Sequence, residues 1–427
     1  MTDLVRPAPL PRLAYVYHPM SVSPLTIVDS AKGVCDLVWV VDSSQPGSTS
    51  MQRLLRRSGP IVEAAGREVA DVAVELRALA VDGVVSLHDG DLVWTARLAA
   101  ELGLPFHSVE TAIRLTDKAA QRAALGAAGL PVPAVHVIPL HTDEEELELL
   151  GTQFPFPAVL KPREGQSSRD TLPIASPAEL LATMAEFRTR TEPTAAEFIL
   201  ESYIPDPSTP LGGEGFAPFV SVEGIVENGR VAHATITSRT PFRWPFRETG
   251  LATPTVIEPG LQQEILRVAT EAALAVGVTI GCLHTEIKLT DDGPVVIEVN
   301  GRPGGGVSEL LELASGFSIL RTALRLAVGD PVNFTGPVDC PRIGYLINVF
   351  PVEELEFIDS VEGLAELAKV EGVDEVVVVR GPGQRIDWRE GSEIHVFHLS
   401  GTVASFDELR TLIALTTSLV RIEGHNL

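Results

Sequence analysis

Cysteine is scarce in this chain. There are three in 427 residues, Cys35, Cys282 and Cys340, odd in number and far apart. Neither a disulfide framework nor a zinc-binding spacing follows, and a reduced, cytoplasmic setting is the expectation. No apolar run approaches the roughly 20 residues that span a bilayer. The stretch from Met1 to Leu13 carries Arg6 and Arg12 but no apolar core, so a signal peptide is not expected. Positive charge is also short: 33 basic against 57 acidic residues give a formal net charge of −24. A nucleic-acid partner needs a basic face to displace counterions, and a membrane surface needs a polybasic patch, so both are excluded as partners. No Gly-x-Gly-x-x-Gly segment marks a dinucleotide site. What remains is an ordinary globular composition, 45% hydrophobic and 21% charged, long enough for two to four domains.

The patterns divide the chain into four parts. Residues 1–115 alternate buried strands (13–16, 37–41, 83–87) with helical stretches (61–80, 91–101), which predicts a small α/β domain with a parallel sheet. Residues 116–195 open with a helix over 119–128, stopped by Gly129 and Pro131. They continue with a strand at 156–161, a polar loop at 163–170 and a helix at 177–188. In residues 196–330, a strand covers 198–203. Strands 219–226 and 230–237 flank Glu227-Asn228-Gly229, a hairpin signal. An irregular loop (240–253), a helix (261–276), a second hairpin around Asp291-Asp292-Gly293, a Gly-rich loop (300–306) and a helix (307–328) follow. Residues 331–427 predict a small α+β unit, with strands at 342–350, 375–380 and 394–400 and helices at 360–369 and 405–420. No internal repeat or long low-complexity linker is visible.

The second hairpin carries the chemistry. Alternate strand residues share a face, which gathers Glu286, Glu298 and Asn300. Two carboxylates and an amide oxygen make a hard, oxygen-rich site suited to Mg²⁺. Glu298 interrupts the apolar run Val295-Val296-Ile297, which a plain solvent-side carboxylate does not explain. Arg302 follows at once and is placed to grip an acyl phosphate or carboxylate bidentately. Gly304, Gly305 and Gly306 let backbone N–H groups approach a substrate oxygen. Only five basic residues are lysine. Lys161 leaves an apolar strand just before the 163–170 loop, and Lys118 begins a helix; both are candidate phosphate clamps. His284 is read as a supporting or packing residue rather than a metal ligand.

Six segments in order resemble the ATP-grasp superfamily, in its L-amino-acid/dipeptide (carboxylate–amine) ligase branch. They are Thr116-Asp117-Lys118, residues 157–162 with Lys161, Leu200-Glu201-Ser202-Tyr203-Ile204, residues 219–224 with Glu223, His284 through Lys288 with Glu286, and Ile297 through Arg302. The resemblance is good over about residues 80–330. It implies an ATP-grasp fold preceded by the N-terminal α/β domain and followed by the small C-terminal unit. It also implies an acyl-phosphate ligase that uses ATP and two Mg²⁺ ions, with Mn²⁺ as a substitute. Lys118 and Lys161 then match the nucleotide lysines. Glu201, Ser202, Tyr203 and Ile204 match the adenine hinge, held partly by its backbone, and Glu223 a catalytic strand residue near metal and substrate. Glu286, Glu298 and Asn300 match the metal ligands, Arg302 the residue that steadies the acyl phosphate. Ser167 and Ser168 fall in the loop that closes over the phosphates. The implied partners are a small carboxylate and an amine, one of them an amino acid. Dimers are common in the family, which makes a homodimer a candidate assembly.

Two departures stand out. The 163–170 loop has one glycine where many relatives have several, and 205–218 is an unusual insertion in which Asp206 or Glu214 is the candidate ribose ligand. Specificity is assigned to residues 241–248, where Trp244 or Phe246 sizes a pocket, Arg243 or Arg247 meets a carboxylate, and Glu248 closes the segment. Alternatives are biotin-carboxylase-like or purine-biosynthesis-like chemistry, and a non-catalytic nucleotide-binding protein. Pro303-Gly304-Gly305-Gly306 replaces the Gln- and His-bearing run of the carboxylases, and no basic patch for a purine-pathway phosphate is visible.

Overall fold

The structure, a computed structural model, describes residues 9–190, 195–351 and 355–426. Residues 1–8 of the segment read for a leader lie outside these. The chain starts with β1 (Arg12–Tyr17), α1 (Pro24–Ala31), β2 (Asp36–Val41), α2 (Ser48–Leu55), β3 (Ile61–Glu63), α3 (Val69–Ala78), β4 (Gly83–Ser86) and α4 (Leu92–Leu102). The four strands form a parallel sheet ordered β3-β2-β1-β4. Both faces are covered, so its strands are apolar throughout rather than alternating; β2 is buried from Leu37 to Val41. The helical periodicity expected from residue 61 begins only at Val69, because residues 61–63 pair with β2 as an edge strand.

Next come α5 (Val109–Thr116) and α6 (Lys118–Ala127). Asp117 caps α6 by accepting from the N–H groups of Ala119 and Ala120 at 2.9 and 3.2 Å, which satisfies two orphan donors of the first turn. A second sheet is built from β5 (Val135–Pro139), β6 (Ala158–Pro162), β7 (Leu172–Ile174) and β8 (Glu197–Ser202), backed by α7 (Glu144–Gln153) and α8 (Pro177–Thr189). Its order is β5-β8-β6-β7, all antiparallel.

The third sheet has eight strands, ordered β13-β12-β9-β10-β11-β14-β17-β16. These are β9 (Phe219–Glu227), β10 (Arg230–Arg239), β11 (Gly250–Thr253), β12 (Gly281–Thr290), β13 (Gly293–Asn300), β14 (Ile343–Val349), β16 (Val373–Val378) and β17 (Phe397–Val403). The long helix α9 (Pro259–Val276) packs its Ile265, Val268, Ala269, Ala272 and Val276 stripe against this sheet in one core. The last strand pair is β15 (Phe357–Glu362) with β18 (Arg421–His425), accompanied by α12 (Leu364–Leu367) and α13 (Phe406–Leu419). Strands β14, β17 and β16 thus extend the sheet that carries the acidic hairpin.

Three expectations need correction. The helix expected over 307–328 is two helices, α10 (Val307–Ser315) and α11 (Ile319–Ala327). Gly316 ends the first at φ 78 and the Ser318 side chain caps the second, as left-handed glycines and N-cap serines do. The helix expected over 360–369 is shortened to α12 (Leu364–Leu367), because Ser360, Val361 and Glu362 pair with β18, and this distant pairing overrides local propensity. Finally, the irregular loop ends in β11, whose residues are buried between β10 and β14.

Candidate active site

A cavity of ≈ 1110 Å³ lies where the three sheets meet. Its wall includes Lys118, Lys161, the loop residues Gly165 through Arg169, Glu201 through Ile204, Glu286, Glu298, Arg302 and Gly304 through Gly306. The hairpin register sets Glu286 directly opposite Glu298, and His284 opposite Asn300. A bulge after Glu286 shifts the register and leaves the two carboxylates side by side at the cavity. Burial works against the ionised form of Glu286, but His284, Arg239 and Arg302 outweigh it and hold the group down at about 2. The two carboxylates, 23% and 18% exposed, form a donor set that fits a divalent cation such as Mg²⁺. Asn300 sits behind them, 4% exposed and outside the cavity lining, its amide donating to the His284 carbonyl at 3.3 Å.

Lys118, Lys161 and Arg302 are already paired. Lys118 Nζ lies 3.1 Å from Glu298 and donates to the Gly165 carbonyl at 2.8 Å. Lys161 Nζ is 2.7 Å from Glu201 Oε2, and Arg122 Nε is 2.8 Å from Glu201 Oε1. Burial disfavours the Glu201 carboxylate, yet Lys161 and Arg122 bring it down to about 2. Burial likewise lowers the Lys161 ammonium despite Glu201, with Arg122 and Lys118 adding to the fall. The Glu201 side chain therefore belongs to a buried ion cluster, leaving the strand-end backbone to face the cavity. Arg302 is gripped by Asp89 of the N-terminal domain, at 2.8 Å through Nε and 2.5 Å through NH2.

Glu223 differs from its expected place. It is wholly buried and outside the cavity lining, 2.5 Å from His284 Nδ1, and accepts the Gly304 N–H at 3.2 Å. It supports His284 and the Gly-rich loop from behind, because the β9–β12 register stacks Glu223 beside His284. Burial would lower the His284 imidazole, but Glu223 and Glu286 raise it to about 9. Gly304 has no room for a side chain: a Cβ would come within 2.4 Å of His284 Nδ1.

In the specificity segment, Trp244, Phe246 and Glu248 line the cavity. Arg243 and Arg247 do not. Arg243 bonds the Pro351 carbonyl and stacks 4.9 Å over the Trp388 ring. Arg247, 2% exposed, bonds the carbonyls of Pro245 (2.6 Å) and Trp388. Both guanidiniums are used to fasten the segment to the C-terminal unit, so the expectation that either meets a substrate carboxylate is corrected. Of the two ribose candidates, Asp206 lines the cavity, held by Lys288 at 2.8 Å and Tyr203 at 2.8 Å, while Glu214 does not.

Sequence reading gave no role to several residues that pair with the candidate site: Arg122, Asp89, Lys288 and Arg239. Nor did it give one to the C-terminal turn at residues 388–394, which holds the 163–170 loop. Ser167 Oγ donates to Glu393 at 2.9 Å, the Ser392 N–H donates to the Ser167 carbonyl at 2.9 Å, and the Asp170 N–H donates to the Arg389 carbonyl at 3.0 Å.

The cavity between two antiparallel sheets, floored by paired carboxylates and walled by lysines, has the room and the charged groups for a nucleotide polyphosphate with a divalent cation. A family model described as "ATP-grasp domain" matches residues 154–309, and the chain has the ATP-grasp fold. It is 30% identical over 273 residues to carnosine synthase 1 of Homo sapiens, covering 60% of this chain and 32% of that protein. It is 23% identical over 354 residues to an L-arginine-specific L-amino acid ligase of Bacillus subtilis, covering 78% of each. Across the first curated relatives the chain spans 32% to 60% of their length. An L-amino acid ligase from Bacillus licheniformis shares the fold over 97% of this chain and 99% of that one, with a TM-score of 0.74 and 19% identity. Among the described residues no helix is long and apolar enough to cross a membrane.

Proposed function

We propose that this chain is an ATP-dependent carboxylate–amine ligase that joins two small molecules, one of them an amino acid, through an acyl phosphate, releasing ADP and phosphate. The opposition of Glu286 and Glu298, with Lys118 and Arg302 on the same cavity, is the observation that carries the reading. The printed activities of the carnosine synthase and amino acid ligase relatives support it.

Glu286 and Glu298 would hold Mg²⁺, or Mn²⁺, with Asn300 bracing the hairpin beneath them. A divalent ion held there would supply positive charge against the phosphates and polarise the phosphoryl group. Lys118 and Lys161 present ammonium groups to the phosphates. The loop with Ser167 and Ser168 covers them and excludes water. The backbone of Glu201 through Ile204 receives the adenine, and Asp206 the ribose. The substrate carboxylate attacks the γ-phosphorus, and ADP departs from it. Arg302 steadies the acyl phosphate, and the N–H groups of Gly305 and Gly306 face the oxyanion formed when the amine adds, with Gly304 anchored to Glu223 behind them. Trp244 and Phe246 bound the substrate side chain.

The test is incubation of the protein with Mg²⁺, ATP and pooled amino acids, reading ADP, AMP, phosphate and product mass. ADP and phosphate that depend on particular amino acids, together with a dehydrated conjugate, are expected. AMP with pyrophosphate would overturn the acyl-phosphate reading. Glu298→Ala is expected to abolish ADP formation, and full turnover in that variant would sink the metal assignment.

A further inference from the structure

An amino acid's amine is an ammonium at neutral pH and has no lone pair with which to attack an acyl phosphate. We propose that His88 is the general base that deprotonates the incoming amine and that Asp91 holds it in the required tautomer; the assignment rests on the ligase reading above. The chain leaves β4 at Ser86 and passes Leu87 and His88 into the turn Asp89–Asp91. Asp89 grips Arg302. His88, one residue earlier, is thereby delivered to the end of the cavity where Arg302 lies, and both line it.

His88 Nδ1 lies 3.6 Å from Asp91 Oδ2, and both atoms are buried without a hydrogen-bond partner. Buried polar atoms are nearly always paired, and a small ring rotation pairs these two with each other. Catalytic contacts are often this loose before substrate arrives. A proton on Nδ1 directed at Asp91 leaves Nε2 with its lone pair. Nε2 faces the side-chain amide of Gln166, from the loop that covers the phosphates, at 3.3 Å. The His18 ring stacks on His88 with centroids 3.4 Å apart and planes 5° from parallel, which fixes the plane in which Nε2 points. The charged and titratable groups around the dyad are His18 with Asp42 near it, Tyr15 beside Asp91, and the Asp89–Arg302 pair.

Other readings of the same residues fit less well. Donor atoms of His18, His88 and Asp91 come within 4.8 Å of one another. Stacked parallel rings aim their lone pairs along parallel lines, however, not at one point, so a shared metal ion does not fit. His395 and His398 also line the cavity, but they bond each other and the Ser392 carbonyl. Glu309 is also a cavity carboxylate, and the variants below separate it from His88.

The step balances. The ammonium nitrogen gives one proton to His88 Nε2, and its freed lone pair forms the C–N bond as the C–O bond to phosphate breaks. The second proton leaves with the departing phosphate, and the imidazolium returns its proton to solvent.

The test splits the two halves of the reaction. Hydroxylamine is largely unprotonated at neutral pH and traps an acyl phosphate without a base. In His88→Gln, hydroxamate and ADP formation should stay within about twofold of wild type, while amide formation with the natural amine falls about 100-fold or more. Amide formation in the wild type should be flat with pH between the pKa of the base and that of the amine. In the variant it should climb about tenfold per pH unit, as only free amine reacts. Asp91→Asn should show the same split more weakly, and it carries the test if His88→Gln does not fold. Equal loss of both halves, unchanged amide formation, or the split appearing in Glu309→Gln instead would overturn the assignment. A wild-type protein that yields no hydroxamate with any carboxylate would overturn the ligase reading, and His88 as base with it.

Discussion

Gly391→Ala should loosen the 163–170 loop from a position outside the cavity lining. Gly391 sits in the turn that holds the 163–170 loop, at φ 71 and ψ −136, a region used almost only by glycine, in which other residues cost about 1–3 kcal/mol. A Cβ there would lie 2.0 Å from the Ser167 carbonyl oxygen and 2.7 Å from the Arg169 nitrogen. Reaching an ordinary carbon–oxygen contact of roughly 3.3 Å requires the loop or the turn to move by more than about 1 Å. That movement breaks the bonds of Ser167 and Asp170 to the turn. Three hydrogen bonds at about 1 kcal/mol each set the scale at about 3 kcal/mol. If half of that is pre-organisation of the nucleotide site, KM for ATP rises about tenfold. Hydrogen exchange of the loop amides and steady-state ADP kinetics measure the two effects together. Wild-type amide protection at Ser167 through Asp170 with an unchanged KM would refute the latch. Glu393→Gln, which weakens one bond of the three, should give a smaller rise.

Arg122→Met strands part of the charge on Glu201, 2.8 Å away and almost fully buried, and should destabilise the fold by about 3 kcal/mol in urea unfolding, as loss of one partner of a buried pair does. His107 is fully buried, and burial lowers its imidazole to about 4 despite a hydrogen bond with the Gly301 backbone. The unfolded chain then binds the proton first, so stability falls as pH drops from about 6.5 and levels off below about 4; by pH 5 the loss is about 2 kcal/mol. His107→Gln should remove that part of the acid sensitivity. Trp244 is 64% exposed, so Trp244→Ala should leave stability within about 0.5 kcal/mol while changing the ratio of kcat/KM between small and bulky substrates.

The parts of the site that were legible in the sequence are those set by local geometry. Glu286 and Glu298 could be placed on paired strands because Asp291-Asp292-Gly293 marks the turn between them, whereas the bulge after Glu286 was not legible. Asp117 could be read as a cap from its place before an alanine-rich run. What stayed hidden joins residues far apart in sequence: Arg302 with Asp89, 213 residues away, and Ser167 with Glu393, 226 away. Nothing local in Asp89 or Glu393 distinguishes it from a solvated acid. Arg243 and Arg247 misled for a related reason: a guanidinium in an aromatic loop reads as a carboxylate binder, whereas here distant carbonyls consume its donors. By contrast α7 left a readable signal, Asp143 capping Glu146 ahead of a first turn of three glutamates, which the turn-rich flanks obscured.

Charge pairing in the cavity decides how nucleotide should arrive. The chain carries a net charge of −24, and four of the cavity cations have carboxylate partners: Lys118 with Glu298, Lys161 with Glu201, Lys288 with Asp206, Arg302 with Asp89. Beyond a few ångströms these pairs nearly cancel, so the far field felt by an approaching polyanion is that of an acidic protein. Phosphate is attracted only once inside, where it shares lysines that the acids hold and where bound cation charge offsets Glu286 and Glu298. Raising salt from about 10 mM to about 150 mM shortens the Debye length from roughly 30 Å to roughly 8 Å, which screens the long-range repulsion more than the contacts within the cavity. The association rate of Mg²⁺-ATP, measured by stopped-flow, should therefore hold steady or rise over that range. A rate falling severalfold would mean that the cavity projects a net positive field, and that the carboxylate pairing drawn from these distances does not persist in solution.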